Sequence, residues 1–222
     1  MIRAALFDAV GTLIHLREPV GETYARVARQ AGVDVPASAL QAAFAPALRA
    51  MPPMAFPGLG PMEVQQEERA WWRSVVDAVF RAARAAPFSD FERCFDRLFD
   101  HFASAGAWRS ADGAAAALGA LRARGLRTGL VSNFDHRLRP LLSELGLAPL
   151  LEVVVLPADA GAAKPDPGIF AVALARLGVR ADQAVYVGDD AEHDLDGAQR
   201  AGLRAIDVRT VRDLRDLASQ IG

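Results

Sequence analysis

Short apolar runs alternate with segments of helical periodicity through the second half of the chain. "RTGLVSN" (127–133) and "AVYVGDD" (184–190) each read as a buried strand that breaks off in polar residues. Leu138, Leu141, Leu142 and Leu145 recur at helical spacing and stop at Gly146, while Asp166-Pro167 opens another helix that stops at Gly178. "IRAALFDA" (2–9), "LEVVVLP" (151–157) and "LRAIDVR" (203–209) predict three more strands. The pattern is that of β-α units around a mainly parallel sheet.

Residues 16–107 follow a different rhythm. Trp72, Val75, Val76, Val79 and Phe80 make one apolar stripe, and Phe91, Phe95, Leu98, Phe99 and Phe102 make another, with no strand between them. "MPPMAFPGLGP" (51–61) is too rich in proline to be anything but a loop between helices, and the alanine-rich "DGAAAALGALRARG" (112–125) predicts a helix of high propensity. The expected organisation is an α/β domain built from residues 1–15 and 108–222, interrupted after its first strand by a helical domain over 16–107.

Composition narrows the function classes. At 222 residues, 52% hydrophobic and 23% charged, the chain can bury a sizeable core in one large or two unequal domains. A net charge of −2 with both signs interspersed gives no polybasic face, which disfavours nucleic acid and anionic membranes as partners. No basic segment followed by an apolar stretch opens the chain and no apolar run reaches transmembrane length, so a cytoplasmic location is expected. Cys94, the single cysteine, sits in "FERCFDRLF" and reads as a core thiol.

Candidate chemistry gathers at the ends of the predicted strands: Asp8, then Ser132 with Asn133, then Asp189 with Asp190, and Lys164 in a loop before a helix. In an open parallel sheet the carboxyl ends of the strands face one crevice, so these residues can converge there. Taken singly, each could be a turn, a helix cap or a solvated loop residue. Together and in this order they point to one site. His15, His101, His136 and His193 show no metal-ligand spacing. Trp71 and Trp72 cannot both face one core from a helix, so one of them is a candidate to line a cleft.

These residues resemble the motifs of the haloacid dehalogenase-like hydrolase superfamily, over residues 2 to about 208. Its first motif, Asp-x-Asp-Gly-Thr, is matched by Asp8-Ala9-Val10-Gly11-Thr12, its second by Ser132, its third by Lys164 in "KPDPGIF", and its fourth by "GDDAEHD" (188–194). "LREPVGETYA", "WWRSVV" and "VSNFDHRL" are similar to the subgroup of haloacid dehalogenase-like hydrolase domain-containing proteins. The resemblance implies a Rossmann-like core with an inserted helical cap of the C1 type that closes over the site. It implies Asp8 as a nucleophile that forms an aspartyl-phosphate, on a small phosphorylated substrate, in a monomer or homodimer. Mg²⁺ is the implied cofactor, held by Asp8, Asp189 and the Val10 backbone carbonyl, with Asp190 or Asp194 completing the shell. Ser132, Asn133 and Lys164 would hold phosphoryl oxygens, and Thr12 would stabilise the motif loop.

Val10 stands where the family's phosphatases carry a second aspartate, a general acid that protonates the leaving group. Valine cannot do this, and general acid-base catalysis contributes about 10² to 10⁴ in rate. Three readings stay open: a hydrolase for leaving groups that need little protonation or whose acid comes from elsewhere, a dehalogenase, and a non-catalytic phosphate- or protein-binding module. The adjacent carboxylates of "GDD" would repel each other without a cation, which favours phosphoryl chemistry. Asp135 is a candidate substitute acid or a carboxylate at a helix start, and Arg17 a candidate contact for a haloacid carboxylate or a surface residue.

Overall fold

A computed structural model describes residues 1–221. The chain divides into two compact units: one comprises Met1–His15, Met54–Pro61 and the residues from Arg109 onward, the other Leu16–Pro53 and Met62–Trp108. The strands are β1 (Ala4–Phe7), β2 (Ile14–Leu16), β3 (Trp108–Ser110), β4 (Arg127–Val131), β5 (Val153–Val155), β6 (Ala184–Gly188) and β7 (Arg204–Asp207).

Five of these form one parallel sheet in the order β5-β4-β1-β6-β7. All four residues of β1 have no exposed surface, and Phe7 lies in register with Leu130 on one side and Val187 on the other. A parallel strand covered on both faces needs apolar residues at every position rather than at alternate ones, which is why these runs are continuous. The chain builds outward from β1 through β4 to β5, then returns to place β6 and β7 on its other side. The order therefore switches at β1, and such a switch opens a crevice at the carboxyl ends of the strands. Each strand stops slightly earlier than its apolar run suggests, so Asp8, Ser132 and Asp189 fall in the loops just beyond. Two strands that the pattern does not predict, β2 and β3, lie where the chain leaves the α/β unit and re-enters it.

The helical unit contains α1 (Val20–Gln30), α2 (Ala37–Arg49), α3 (Pro61–Ala82) and α4 (Phe91–Ala103). Proline at the first position of α3 costs no hydrogen bond, and Asp90 caps α4 by accepting from the Arg93 N–H at 3.0 Å. Val75, Val76, Val79 and Phe80 of α3 and Cys94, Phe95 and Leu98 of α4 are buried in one cluster with Tyr24 and Leu40. Burying each large side chain contributes about 1.5–3 kcal/mol. Residues 54–61, the second half of the proline-rich segment, group with the α/β unit.

The remaining helices, α5 (Ala114–Ala123), α6 (Leu138–Glu144), α7 (Pro157–Ala160), α8 (Pro167–Leu177), α9 (Gly197–Arg200) and α10 (Leu217–Gln220), belong to the α/β unit. Among the described residues no helix is long and apolar enough to cross a membrane.

Candidate active site

The Asp8 N–H still donates to the Val187 carbonyl at 2.9 Å, and the chain then folds back on itself, with the Leu13 and Ile14 N–H groups both donating to the Ala9 carbonyl at 2.9 and 2.8 Å. Gly11 sits in this loop at φ +92°. A Cβ there would lie 2.4 Å from Asp189 Oδ2, so neither the backbone angle nor the space admits another residue. Val10 turns outward, with 38% of its surface exposed.

Lys164 enters from the loop before α8. Its N–H donates to Asn133 Oδ1 at 2.7 Å, and Asn133 Nδ2 donates to its carbonyl at 2.9 Å, so this side chain clamps the backbone that carries the lysine. In this structure the Asn133 amide serves Lys164. The ammonium has three acceptors, matching its three donors: Asp8 Oδ1 at 2.7 Å, Asp194 Oδ1 at 2.5 Å and the Tyr186 hydroxyl at 3.0 Å. The Tyr186 hydroxyl lies 3.0 Å from Asp194 Oδ1 and 2.9 Å from the Val131 carbonyl. Ser132 is buried beside this network at the end of β4.

Asp190 and Asp194 part company. The Asp190 carboxylate caps the turn after it, accepting from the Glu192 and His193 N–H groups at 3.0 and 2.8 Å and lying 3.0 Å from His193 Nδ1. Asp194 is buried and faces the strand ends, where its Oδ2 accepts from the Asp189 and Asp190 N–H groups at 3.0 and 3.1 Å. With Lys164 and Tyr186 on Oδ1, the roughly four lone-pair positions of this carboxylate are taken. Its bulk also explains why β6 ends in glycine, since a Cβ on Gly188 would lie 2.5 Å from Asp194 Cγ.

Asp8, Asp189 and Asp194 each bring a carboxylate oxygen within 4.8 Å of the others. Burial pushes the Asp8 carboxyl up to about 6, against the pull of Lys164 and with Asp194 adding to the rise. Asp189 is raised by burial and by Asp194. For Lys164, burial works against the charge but Asp8 and Asp194 overcome it, so the ammonium is held. Three neighbouring carboxylates against one ammonium leave an excess of negative charge, and Asp8 and Asp189 keep hard oxygen donors free, a set that fits a divalent cation.

Two expectations change here. Thr12 is 1% exposed and its hydroxyl has no hydrogen-bond partner among the described residues, so the motif loop is held by the backbone bonds to Ala9 and not by this side chain. Asp135 is fully buried and accepts from Arg137 at the N–H, Nε and Nη2, at 2.9, 2.8 and 2.5 Å. A carboxylate committed to a buried guanidinium braces the loop after β4 and is no spare acid. Sequence reasoning missed Tyr186, whose neighbours all read as strand core. The available signal was a phenol inside a buried aliphatic run, where the hydroxyl needs a partner.

A family model described as haloacid dehalogenase-like hydrolase matches residues 2–202. The chain belongs to the haloacid dehalogenase-like hydrolase family. It is 38% identical to mouse haloacid dehalogenase-like hydrolase domain-containing protein 3 over 204 residues, which cover 92% of this chain and 80% of that protein. The fold is similar to that of a phosphatase of this family from Thermococcus onnurineus, with a TM-score of 0.66 and 23% identity over 100% of this chain and 98% of the other. It is also similar to the crystal structure of a dehalogenase, with a TM-score of 0.69 and 24% identity over 96% and 87% of the two chains.

Proposed function

We propose that the chain is a divalent-metal-dependent phosphohydrolase for small phosphorylated molecules whose leaving groups depart without strong acid assistance. The observation that carries this reading is the excess of carboxylate over ammonium at the strand ends, where Asp8, Asp189 and Asp194 lie close together and Lys164 pairs with Asp8 and Asp194. Expulsion of a halide by a carboxylate nucleophile has no use for a cation among three acids, whereas a phosphoryl group brings negative charge that one must offset. Fold likeness alone does not choose, since one solved relative is called a phosphatase and the other a dehalogenase.

In this mechanism Asp8, one oxygen pinned by Lys164, attacks phosphorus with the other, and the ester P–O bond breaks with its electron pair leaving on the substrate oxygen. Water then attacks the aspartyl-phosphate at phosphorus, the P–O bond to Asp8 breaks, and phosphate leaves with the carboxylate restored. Ser132 holds a phosphoryl oxygen, and Lys164, whose three donors are taken by Asp8, Asp194 and Tyr186, takes a second by exchanging one of those acceptors for it. Mg²⁺, held by Asp8, Asp189 and the Val10 carbonyl, would supply positive charge against the phosphoryl group. Asp194 anchors rather than ligates, because its oxygens are occupied by Lys164, Tyr186 and the backbone of Asp189 and Asp190. Val10 leaves the departing oxygen without an acid, which costs roughly 3–5 kcal/mol of barrier on alkyl esters.

The test is phosphate release from aryl, acyl and alkyl phosphates, with Mg²⁺ or chelator, for wild type, Asp8→Asn and Val10→Asp. Metal-dependent turnover of aryl or acyl phosphates is expected, lost by a factor on the order of 10⁴ or more in Asp8→Asn. Val10→Asp should raise the rate on alkyl phosphates. Full activity in a folded Asp8→Asn variant removes the nucleophile assignment, and silence from both wild type and Val10→Asp favours the dehalogenase or binding-module readings.

A further inference from the structure

A cavity of about 650 Å³ opens within the α/β unit, lined by Thr12, Arg109, Gly113, Arg209, Arg212 and Arg215 among others. Four guanidinium-bearing residues come together from two distant stretches of chain, one before α5 and one between β7 and α10. They are not equivalent. Arg209 is fixed by Asp207 at 2.7 Å and Arg215 by Asp213 at 2.9 Å, each arginine paired with the carboxylate two residues upstream. Arg109 and Arg212 have no ion-pair or hydrogen-bond partner among the described residues, and both are exposed. Asp112 and Asp213 also line the cavity, so the cationic side chains outnumber the anionic ones four to two.

Two further observations concern its wall. Thr12, whose buried hydroxyl lacks any partner, lines this cavity. Gly11 lines it too, and the same glycine is the residue pressed against Asp189, so the cavity shares a wall with the acidic cluster without including it. Gly113, at φ +81°, keeps the floor open: a Cβ there would come within 3.1 Å of Asp213 Oδ1 and Arg215 Cγ.

We infer that this cavity is a second, anion-binding site that takes a phosphate group on the Arg109 and Arg212 guanidinia. The donors set the chemistry: planar guanidinium forks match the oxygens of phosphate in pairs, and here two line one cavity without an ion-pair partner among the described residues. The phosphate arrives either as a free anion or as the second phosphate of a molecule whose first lies at Asp8 and Lys164.

The test is a titration of the full-length chain in chelator, monitored by the backbone amide resonances of Gly113 and Leu214 for the cavity and Ser132 for the acidic cluster. Inorganic phosphate should move Gly113 and Leu214 saturably. Arg109→Ala/Arg212→Ala should weaken that binding by about tenfold or more, as expected for the loss of two charge-assisted contacts. Both side chains are exposed, so the remaining resonances should stay in place, and Arg109→Lys/Arg212→Lys, which keeps the charge but loses the fork, should fall between the two. No saturable shift at Gly113 and Leu214, or the same affinity in the double alanine variant as in wild type, overturns the site. The source is read with a series of alkane bisphosphonates. A member that moves Gly113 and Ser132 with one shared constant, tighter than that of phosphate, means one molecule spans both sites; separate constants for every member mean a free anion.

Discussion

The α/β unit and the helical unit fill their interiors with different chemistry. In the first, Asp8, Lys164, Asp194 and Tyr186 form one connected set in which each polar group depends on the next. In the second, rings meet rings: Tyr24 packs against Phe44, Phe80 and Phe102 at centroid distances of 6.0, 5.6 and 6.2 Å. Dispersion and apolar burial fall off locally, so deleting one ring removes that ring's contacts. Deleting one member of a buried charged set strands the others without a partner and without water. Chemistry and fragility are therefore concentrated at the strand ends of one unit.

The sharpest way to break this contrast is Lys164→Ala. It leaves Asp8 and Asp194 facing each other with no cation of the chain between them, and loss of one partner of a buried pair costs about 3–5 kcal/mol. Urea unfolding in chelator should show that loss, and Mg²⁺ should recover part of it. A loss under about 1 kcal/mol would mean the set is less interdependent than its geometry states. A smaller effect is expected from Tyr186→Phe, which removes one hydroxyl from a set that keeps its charges. Unfolding free energy should fall by about 1 kcal/mol and turnover by several-fold, with the metal requirement unchanged. Variants indistinguishable from wild type in both would make the phenol a packing residue only. At the other extreme stands Cys94. Burial pushes its thiol up to about 11 and it has no exposed surface, so a thiol reagent at pH 8 should react with the native chain only as fast as it unfolds. Rapid labelling of the native protein would show that the helical core opens far more readily than its packing implies.

Much of the architecture is legible in the sequence because burial on both faces writes a continuous apolar run into each parallel strand. Asp8, Ser132 and Asp189 stand out as the first polar side chains at the ends of those runs. The features that escape a sequence reading have other causes. Tyr186 is disguised by its neighbours, because a strand pattern weighs the ring and ignores the hydroxyl. The partners of Asn133 and Asp135, Lys164 in one case and Arg137 in the other, are contacts that only the folded loop makes plain. The choice between Asp190 and Asp194 depends on a turn of π-helix at Ala191–Asp196, whose spacing carries no simple periodic signature. The arginine-lined cavity is hidden for a plainer reason: about a hundred residues separate Arg109 from Arg209, and the net charge near zero conceals a local excess.

Val10 carries a further consequence. Its side chain faces outward, so an aspartate there would displace nothing from the core and bury no new charge. Codons for valine and aspartate can differ by a single base. The chain thus lies one mutation away from a carboxylate at this position, along a route that stability does not close.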